Sequence, residues 1–235
     1  MNDKSIIKEY YKDTVTSNNN NTFEDFLKQV GKTYLGNTIN QQQFQTIIEN
    51  IRENLKVTID DNVIDLGCAN GLISSNISKY SKKVFGFDLS EELINTANLH
   101  NNKTNIIYQQ KNILDIDFNE LISNKIYMYE VLQHLKYNQL RSLLQKILYS
   151  HEKFYFFIGS IPNSEKLLDF YNTKERKKYY FTEVLENDKF HIGNWWYKEQ
   201  ILYLCEELGL ECEVIEQDKS LHTAHYRFDC LIKKV

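Results

Sequence analysis

Strand-like and helix-like patterns alternate through the middle of the chain, a glycine-bounded turn joins the first strand to a helix, and the second strand ends on a carboxylate. Together these predict an α/β fold built on an open, mostly parallel sheet with crossover helices. Short apolar runs at about 61–66, 83–88, 105–110, 125–130 and 154–159 read as buried strands, and helical periodicity covers about 72–80, 90–101, 117–123 and 137–149. Ser90 stands as an N-cap, with Glu91 and Glu92 in the first turn of its helix to complement the dipole. A further helix over about 197–208 stops at Gly209, and strands near 211–217 and 226–233 form an antiparallel pair that brings the sheet to seven strands. Upstream, Phe44, Ile47, Ile48, Ile51 and Leu55 share one face of a helix from Asn40 to Leu55. The polar run Asn18 to Asn21 reads as a loop.

The chain of 235 residues suits one well-buried domain, with an N-terminal helical lid segment, 1–55, and a main body, 56–235, that carries a lid insertion after the fifth strand at about 160–197. With 42% hydrophobic and 26% charged residues and a formal net charge of −4, the chain lacks the basic excess of duplex-binding proteins, so DNA is not an expected partner. No apolar run approaches the roughly 18 residues a membrane span needs. The polar start Met1-Asn-Asp-Lys has no signal-type core, which points to the cytoplasm. Cys68, Cys205, Cys212 and Cys230 lack Cys-x-x-Cys spacing and read as buried thiols rather than a zinc knot or a disulfide framework.

The chemistry is concentrated at residues 63–74, Val-Ile-Asp-Leu-Gly-Cys-Ala-Asn-Gly-Leu-Ile-Ser, where a strand runs through a glycine-bounded turn into a helix start. Gly67 and Gly71 accept backbone angles closed to other residues and let a ligand approach the main chain. Seventeen residues after Gly71, Asp88 ends the second strand, where a carboxylate accepts hydrogen bonds from both hydroxyls of a ribose. The Gly-x-x-x-Gly spacing differs from the dinucleotide fingerprint, and Asp65 ahead of the turn would repel a pyrophosphate. S-adenosylmethionine, with a cationic ammonium, a ribose and no phosphate, matches both carboxylates.

These residues resemble the class I S-adenosylmethionine-dependent methyltransferases over roughly residues 57–159. Asp65-Leu-Gly-Cys-Ala-Asn-Gly is similar to the family's first motif and Phe87-Asp88-Leu-Ser to its ribose-binding motif. Gln110-Lys-Asn112-Ile113 stands where an Asp usually meets the adenine amino group, and Glu130-Val-Leu-Gln-His134-Leu resembles the segment beside the reacting methyl. The resemblance implies a Rossmann-like class I methyltransferase fold with S-adenosylmethionine held by Asp65, Gly67, Cys68, Ala69, Gly71, Asp88, Leu89, Asn112, Ile113 and Glu130. Ala69 replaces the usual middle glycine and Asn112 the usual Asp; alanine is the smallest side chain available, and the Asn oxygen can still accept from an amine. Gln29-Val-Gly-Lys-Thr, Ser160-Ile-Pro-Asn, Phe170-Tyr-Asn-Thr, Ile192-Gly-Asn-Trp-Trp and His225-Tyr-Arg-Phe-Asp resemble a subgroup associated with bacterial surface-polysaccharide biosynthesis. That implies methyl transfer to an oxygen of a sugar or nucleotide-linked sugar.

A hydroxyl acceptor has to lose its proton, and His134, at the crevice mouth, is the first candidate base, with His191, His222 and His225 behind it. His134 equally suits a loop-orienting role. A metal-assisted variant would use Glu130, His134 and a later histidine, but Gln133 stands where such relatives carry a second Glu, so no metal is expected. Gly31 is either a hinge that brings Lys32 to the methionine carboxylate or a plain helix-to-helix turn. In the insertion, Tyr171, Arg176, His191, Trp195 and Trp196 either stack on and clamp an acceptor or form an amphipathic lid packed on the core. Arg227 either binds an acceptor phosphate or pairs with a carboxylate at the sheet edge. Two other functions stay open: an RNA methyltransferase, disfavoured by the acidic net charge but kept open by the Lys174 to Lys178 cluster, and a cofactor-binding partner protein without catalysis, against which the nearly intact cofactor motif speaks.

Overall fold

The computed structural model describes residues 22–34, 37–187, 189 and 192–235. The Asn18–Asn21 run and His191 lie outside them. Seven strands form one sheet: β1 (Asn62–Leu66), β2 (Lys83–Asp88), β3 (Ile106–Gln110), β4 (Lys125–Tyr129), β5 (Phe154–Pro162), β6 (Glu211–Glu216) and β7 (Arg227–Lys234). Their order is β3-β2-β1-β4-β5-β7-β6. Strands β1 to β5 are parallel, and β7 runs antiparallel between β5 and β6. The predicted fold class is therefore the observed one. Chain order reverses between β1 and β4, which opens a crevice at the carboxyl ends of those strands.

Eight helices flank the sheet among the described residues: α1 (Phe23–Gln29), α2 (Gln41–Leu55), α3 (Leu72–Ile77), α4 (Glu91–His100), α5 (Tyr137–Ser150), α6 (Leu167–Phe170), α7 (Lys174–Tyr179) and α8 (Lys198–Glu207). Parallel strands are covered on both faces, and each face has its own core. On one, Leu140, Leu143, Leu144 and Ile147 of α5 and Ile201 and Leu204 of α8 pack on Ile64, Ile126, Phe156 and Phe228. On the other, Phe44, Ile47, Ile48, Ile51 and Leu55 of α2 and Leu27 of α1 pack on Val63, Tyr127 and Phe157. The N-terminal segment thus supplies about a third of this second core as well as whatever cover it gives the crevice.

Three expectations need correction. No helix spans 117–123: β3 is joined to β4 by two single 3₁₀ turns, Ile113–Asp115 and Phe118–Glu120. Asn112 and Asp117 cap those turns with their side chains, offering the backbone an alternative to a continuing helix. The connection around Gly31 is not helix to helix, since a two-residue hairpin, Thr33–Tyr34 with Asn37–Thr38, lies between α1 and α2. Strand β5 does not stop at 159 but continues to Pro162, with a register shift between Ile158 and Ile161.

Candidate active site

Strand β1 delivers the glycine turn to the crevice, and the turn is rigidly held. Gly67 and Cys68 both donate their amides to the Phe87 carbonyl, at 2.7 and 3.0 Å. Gly67 (φ 86°) and Gly71 (φ 75°) are left-handed, and a Cβ at Gly71 would lie 2.4 Å from the Tyr108 hydroxyl oxygen. That hydroxyl shares its one proton between the Gly71 and Asn101 carbonyl oxygens, each at 3.1 Å, so β3 props the turn from below. Ala69 holds φ 47° despite its Cβ, a conformation that glycine would take without strain.

Asp88 receives the turn from the next strand. One carboxylate oxygen accepts from the Ala69 amide and the other from the Ser90 amide, each at 2.9 Å. Each oxygen retains a lone pair. Burial raises the acid's pKa above its ordinary value, and those amides partly offset the rise. Leu89, half-buried, accepts from Gln110 through its carbonyl, and Asn112 spends one lone pair of Oδ1 on the Leu114 amide at 3.2 Å, beside buried Ile113. Cys68 is buried under the turn, and burial pushes its thiol well up.

Asp65 lies deeper than the sequence suggested. It is 2% exposed and accepts from the Ser74 hydroxyl at 2.5 Å and the Tyr127 hydroxyl at 2.6 Å. Burial outweighs these bonds and raises its pKa to about 7. Lys32 sits nearby but pairs with Glu130, Nζ to Oε2 at 2.8 Å, and lies 4.5 Å from the centre of the Tyr129 ring. Burial works against the Glu130 charge, yet Lys32 and Arg227 more than compensate and keep its pKa below the usual value.

Glu130 directly follows β4, Ser160 sits at the register shift within the adjacent β5, and both are left-handed, at φ 61° and 62°. Such strain in non-glycine residues costs on the order of 1–3 kcal/mol each and persists where surrounding structure enforces it. Here Asp229 accepts from the Ser160 amide at 2.7 Å and from Gln217 at 2.9 Å, while Arg227 donates to the Ser160 carbonyl and, at 2.8 Å, to Gln133. Burial raises the Asp229 acid to about 6. Arg227, 4% exposed, is therefore an internal tie and not a sheet-edge residue. His134 follows Gln133; burial, aided by Arg227, pushes its imidazole down to about 4.

The insertion divides into a wall and its support. Phe170, Trp195 and Tyr226 meet with ring centroids 4.7–6.0 Å apart, and His225, exposed, lies 4.8 Å from Tyr226. Arg176 donates to the Phe170 carbonyl at 3.1 Å and lies 5.5 Å from that ring. Asn194 pins this arm to the loop after β4 by donating to Gln133 and Leu135 carbonyls at 2.7 and 3.0 Å. Tyr171 and Trp196 are each 2% exposed, Tyr171 against Tyr180 and Trp196 in the core with Ile201 and Phe228, so both are framework rather than open contact surface. His222 lies close enough to Glu130, Lys32 and Arg227 to feel their charges, and burial lowers its pKa.

Sequence reasoning missed Asn70, Ser74, Tyr108, Tyr127, Gln133 and Asp229. Asn70 is buried and donates to the Phe26 carbonyl and Gln29 Oε1 at 2.9 and 3.0 Å, fastening α1 to the glycine turn. Its place inside the turn motif was the one available signal. Among the described residues, no group of three His, Cys, Asp or Glu is arranged to hold a metal, and no helix is long and apolar enough to cross a membrane.

The chain is 30% identical over 104 residues to the ribosomal RNA small subunit methyltransferase A of Clostridium botulinum, an alignment covering 43% of this chain and 34% of that protein. The chain thus spans about a third of the length of these curated relatives. Among solved structures, a phosphoethanolamine N-methyltransferase of Haemonchus contortus superposes with a TM-score of 0.71 at 12% identity, over 99% of this chain and 49% of that one. The magnesium protoporphyrin IX methyltransferase of Synechocystis PCC 6803, solved with bound S-adenosylmethionine, gives 0.62 at 11% identity over 100% and 98%. At these identities the likeness is one of fold. In sequence, the family model described as a methyltransferase domain matches residues 63–150, the stretch that holds the glycine turn, Asp88, Asn112 and Glu130.

Proposed function

We propose that the protein is an S-adenosylmethionine-dependent methyltransferase that methylates an oxygen of a sugar or sugar-linked small acceptor, as in surface-polysaccharide biosynthesis. The observation that carries the methyltransferase reading is the joint presence of the Gly67–Gly71 turn and Asp88, held together by the amide of Ala69. The sugar reading draws on the aromatic wall of Phe170, Trp195 and Tyr226, flanked by Arg176. Aromatic faces suit the apolar face of a sugar ring, and guanidinium groups suit an attached phosphate.

The residues present fit the cofactor: the turn leaves its backbone uncovered by long side chains, and Asp88 has a lone pair on each oxygen for a ribose hydroxyl. Asn112 has one left for the adenine amine, with the Ile113 amide beside it. Lys32, by leaving Glu130, would reach the methionine carboxylate. When bound, S-adenosylmethionine supplies an electrophilic methyl carbon on a sulfonium. The wall and the pinned arm hold the acceptor in line at about 3 Å, which supplies much of the acceleration, and exclude water. His134, neutral at pH 7, takes the acceptor's proton. Its low pKa does not disqualify it, because a hydroxyl oxygen becomes strongly acidic once alkylated, and so the proton passes to a weak base late in the displacement.

Calorimetric titration with S-adenosylmethionine, S-adenosylhomocysteine and NAD, followed by a methyl-release assay with nucleotide-linked sugars, tests this. Micromolar binding of the first two alone, with turnover on a sugar, is the expected result; binding with no turnover on any acceptor favours a non-catalytic partner protein. The match to the ribosomal RNA enzyme supports a second reading, methylation of RNA. A steep loss of RNA affinity with added salt, weakened by neutralising the Lys174–Lys178 cluster, would bring it forward.

A further inference from the structure

Three of the four cysteines, each on a different element, meet at one place outside the crevice. Cys205 is on α8, Cys212 on β6 and Cys230 on β7, and all belong to the apolar layer that α8 forms on the sheet. Cys205 and Cys230 are buried and Cys212 is half-exposed. Cys212 packs against the apolar cluster that holds both Cys205 and Cys230, and its thiol feels both of them, Cys205 most. The two partners differ in geometry. Cys212 stands opposite Ile232, and Cys230 opposite Val214, so Cys212 and Cys230 are a diagonal pair. Diagonal neighbours in an antiparallel ladder lie roughly 7–8 Å apart, beyond ordinary disulfide reach. Cys205 faces Cys212 across the helix–sheet layer through a short connection, which the Leu210 amide closes on the Cys205 carbonyl at 2.8 Å.

We propose that Cys212 is an oxidation site that forms a disulfide with Cys205, fastening the end of α8 to β6. The donating thiols of Cys205 and Cys230 hold the Cys212 thiol below its ordinary pKa, which favours the nucleophilic thiolate. With hydrogen peroxide as oxidant, the Cys212 sulfur breaks the O–O bond, becoming a sulfenic acid and releasing hydroxide. The Cys205 sulfur then displaces the sulfenic oxygen, forming the S–S bond. One peroxide is reduced to two waters, and two thiols lose two hydrogens. The proposal is independent of the methyl acceptor.

The test uses the full chain, reduced and freed of reductant, exposed to a modest molar excess of hydrogen peroxide. Intact mass is expected to fall by two hydrogens per chain, non-reducing peptide mapping to join Cys205 to Cys212, and Cys68 to stay a free thiol. In the unoxidised protein, iodoacetamide is expected to label Cys212 faster than the three buried thiols, a measurement that needs no variant. Cys205→Ser is expected to leave a dimedone-trappable sulfenic acid at Cys212. An unchanged mass, a bridge from Cys212 to Cys230, or labelling of Cys212 no faster than of Cys68 would overturn the proposal.

Discussion

Two residues carry the chemistry most directly, and each makes a measurable prediction. Asp88→Ala removes the carboxylate proposed to hold both ribose hydroxyls, and at about 1–2 kcal/mol per hydrogen bond it is expected to weaken cofactor binding by about 2–4 kcal/mol. Calorimetry reads this, and an unchanged dissociation constant removes the ribose assignment. His134 is held at about 4 by burial and Arg227. If it is the base, kcat/KM stays flat from pH 8 to about 5 and falls only near 4, and His134→Ala slows turnover about 10²- to 10⁴-fold with cofactor affinity nearly intact. An acidic limb near 6.5 would hand the role to another histidine, and a loss below about fivefold would leave His134 a loop-orienting residue.

At the scale of elements, the connection that matters most is between α1 and the glycine turn. Asn70 makes it with two donated bonds, and Asn101 braces Asn70 in turn by donating to its carbonyl at 2.8 Å. Asn70→Ala is expected to cost about 1–3 kcal/mol, because the Phe26 carbonyl and Gln29 lose their partner in a buried place. Hydrogen exchange over residues 23–29 should accelerate more than exchange in β1; equal protection in both proteins would show that apolar packing of Leu27 alone holds the helix. Gly71→Ala combines a left-handed φ with a collision at Tyr108. The expected loss is about 2–5 kcal/mol, adding about 1–2 for conformation and 1–3 for overpacking. Urea unfolding measures it, and a loss below about 1 kcal/mol would mean that Tyr108 swings away.

Across the whole molecule, the buried acid Asp65 links stability to pH. Its folded pKa of about 7 lies above the unfolded value, so its contribution is fully present below about 4 and is lost as pH rises through 7. The full span corresponds to on the order of 4 kcal/mol. His134, lowered in the fold, acts in the opposite sense between about 4 and 6.5. The stability of wild type relative to Asp65→Asn isolates the first effect, since Asn keeps an acceptor for Ser74 and Tyr127 without titrating. That difference is expected to shrink from pH 5 to 8; a constant difference would place the Asp65 pKa near its ordinary value.

The strand positions, the left-handed glycines and the Asp at the end of β2 were legible because backbone conformation and strand polarity are written in short windows: Gly67, Gly71 and Asp88 are read from their immediate neighbours. The helix expected over 117–123 failed for the complementary reason, because local caps at Asn112 and Asp117 competed with a weak apolar period. What the tertiary structure alone decided is which distant side chains share an environment. Lys32 meets Glu130 across 98 residues, Arg227 meets Gln133 across 94, and Tyr127 meets Asp65 across 62. None of these pairs leaves a periodic trace, and their protonation depends on burial that no local window contains. The sequence by itself determined the fold and the position of the crevice, since hydrophobic alternation and turn chemistry act locally. Packing decided the charges inside it, because desolvation depends on everything that surrounds a group.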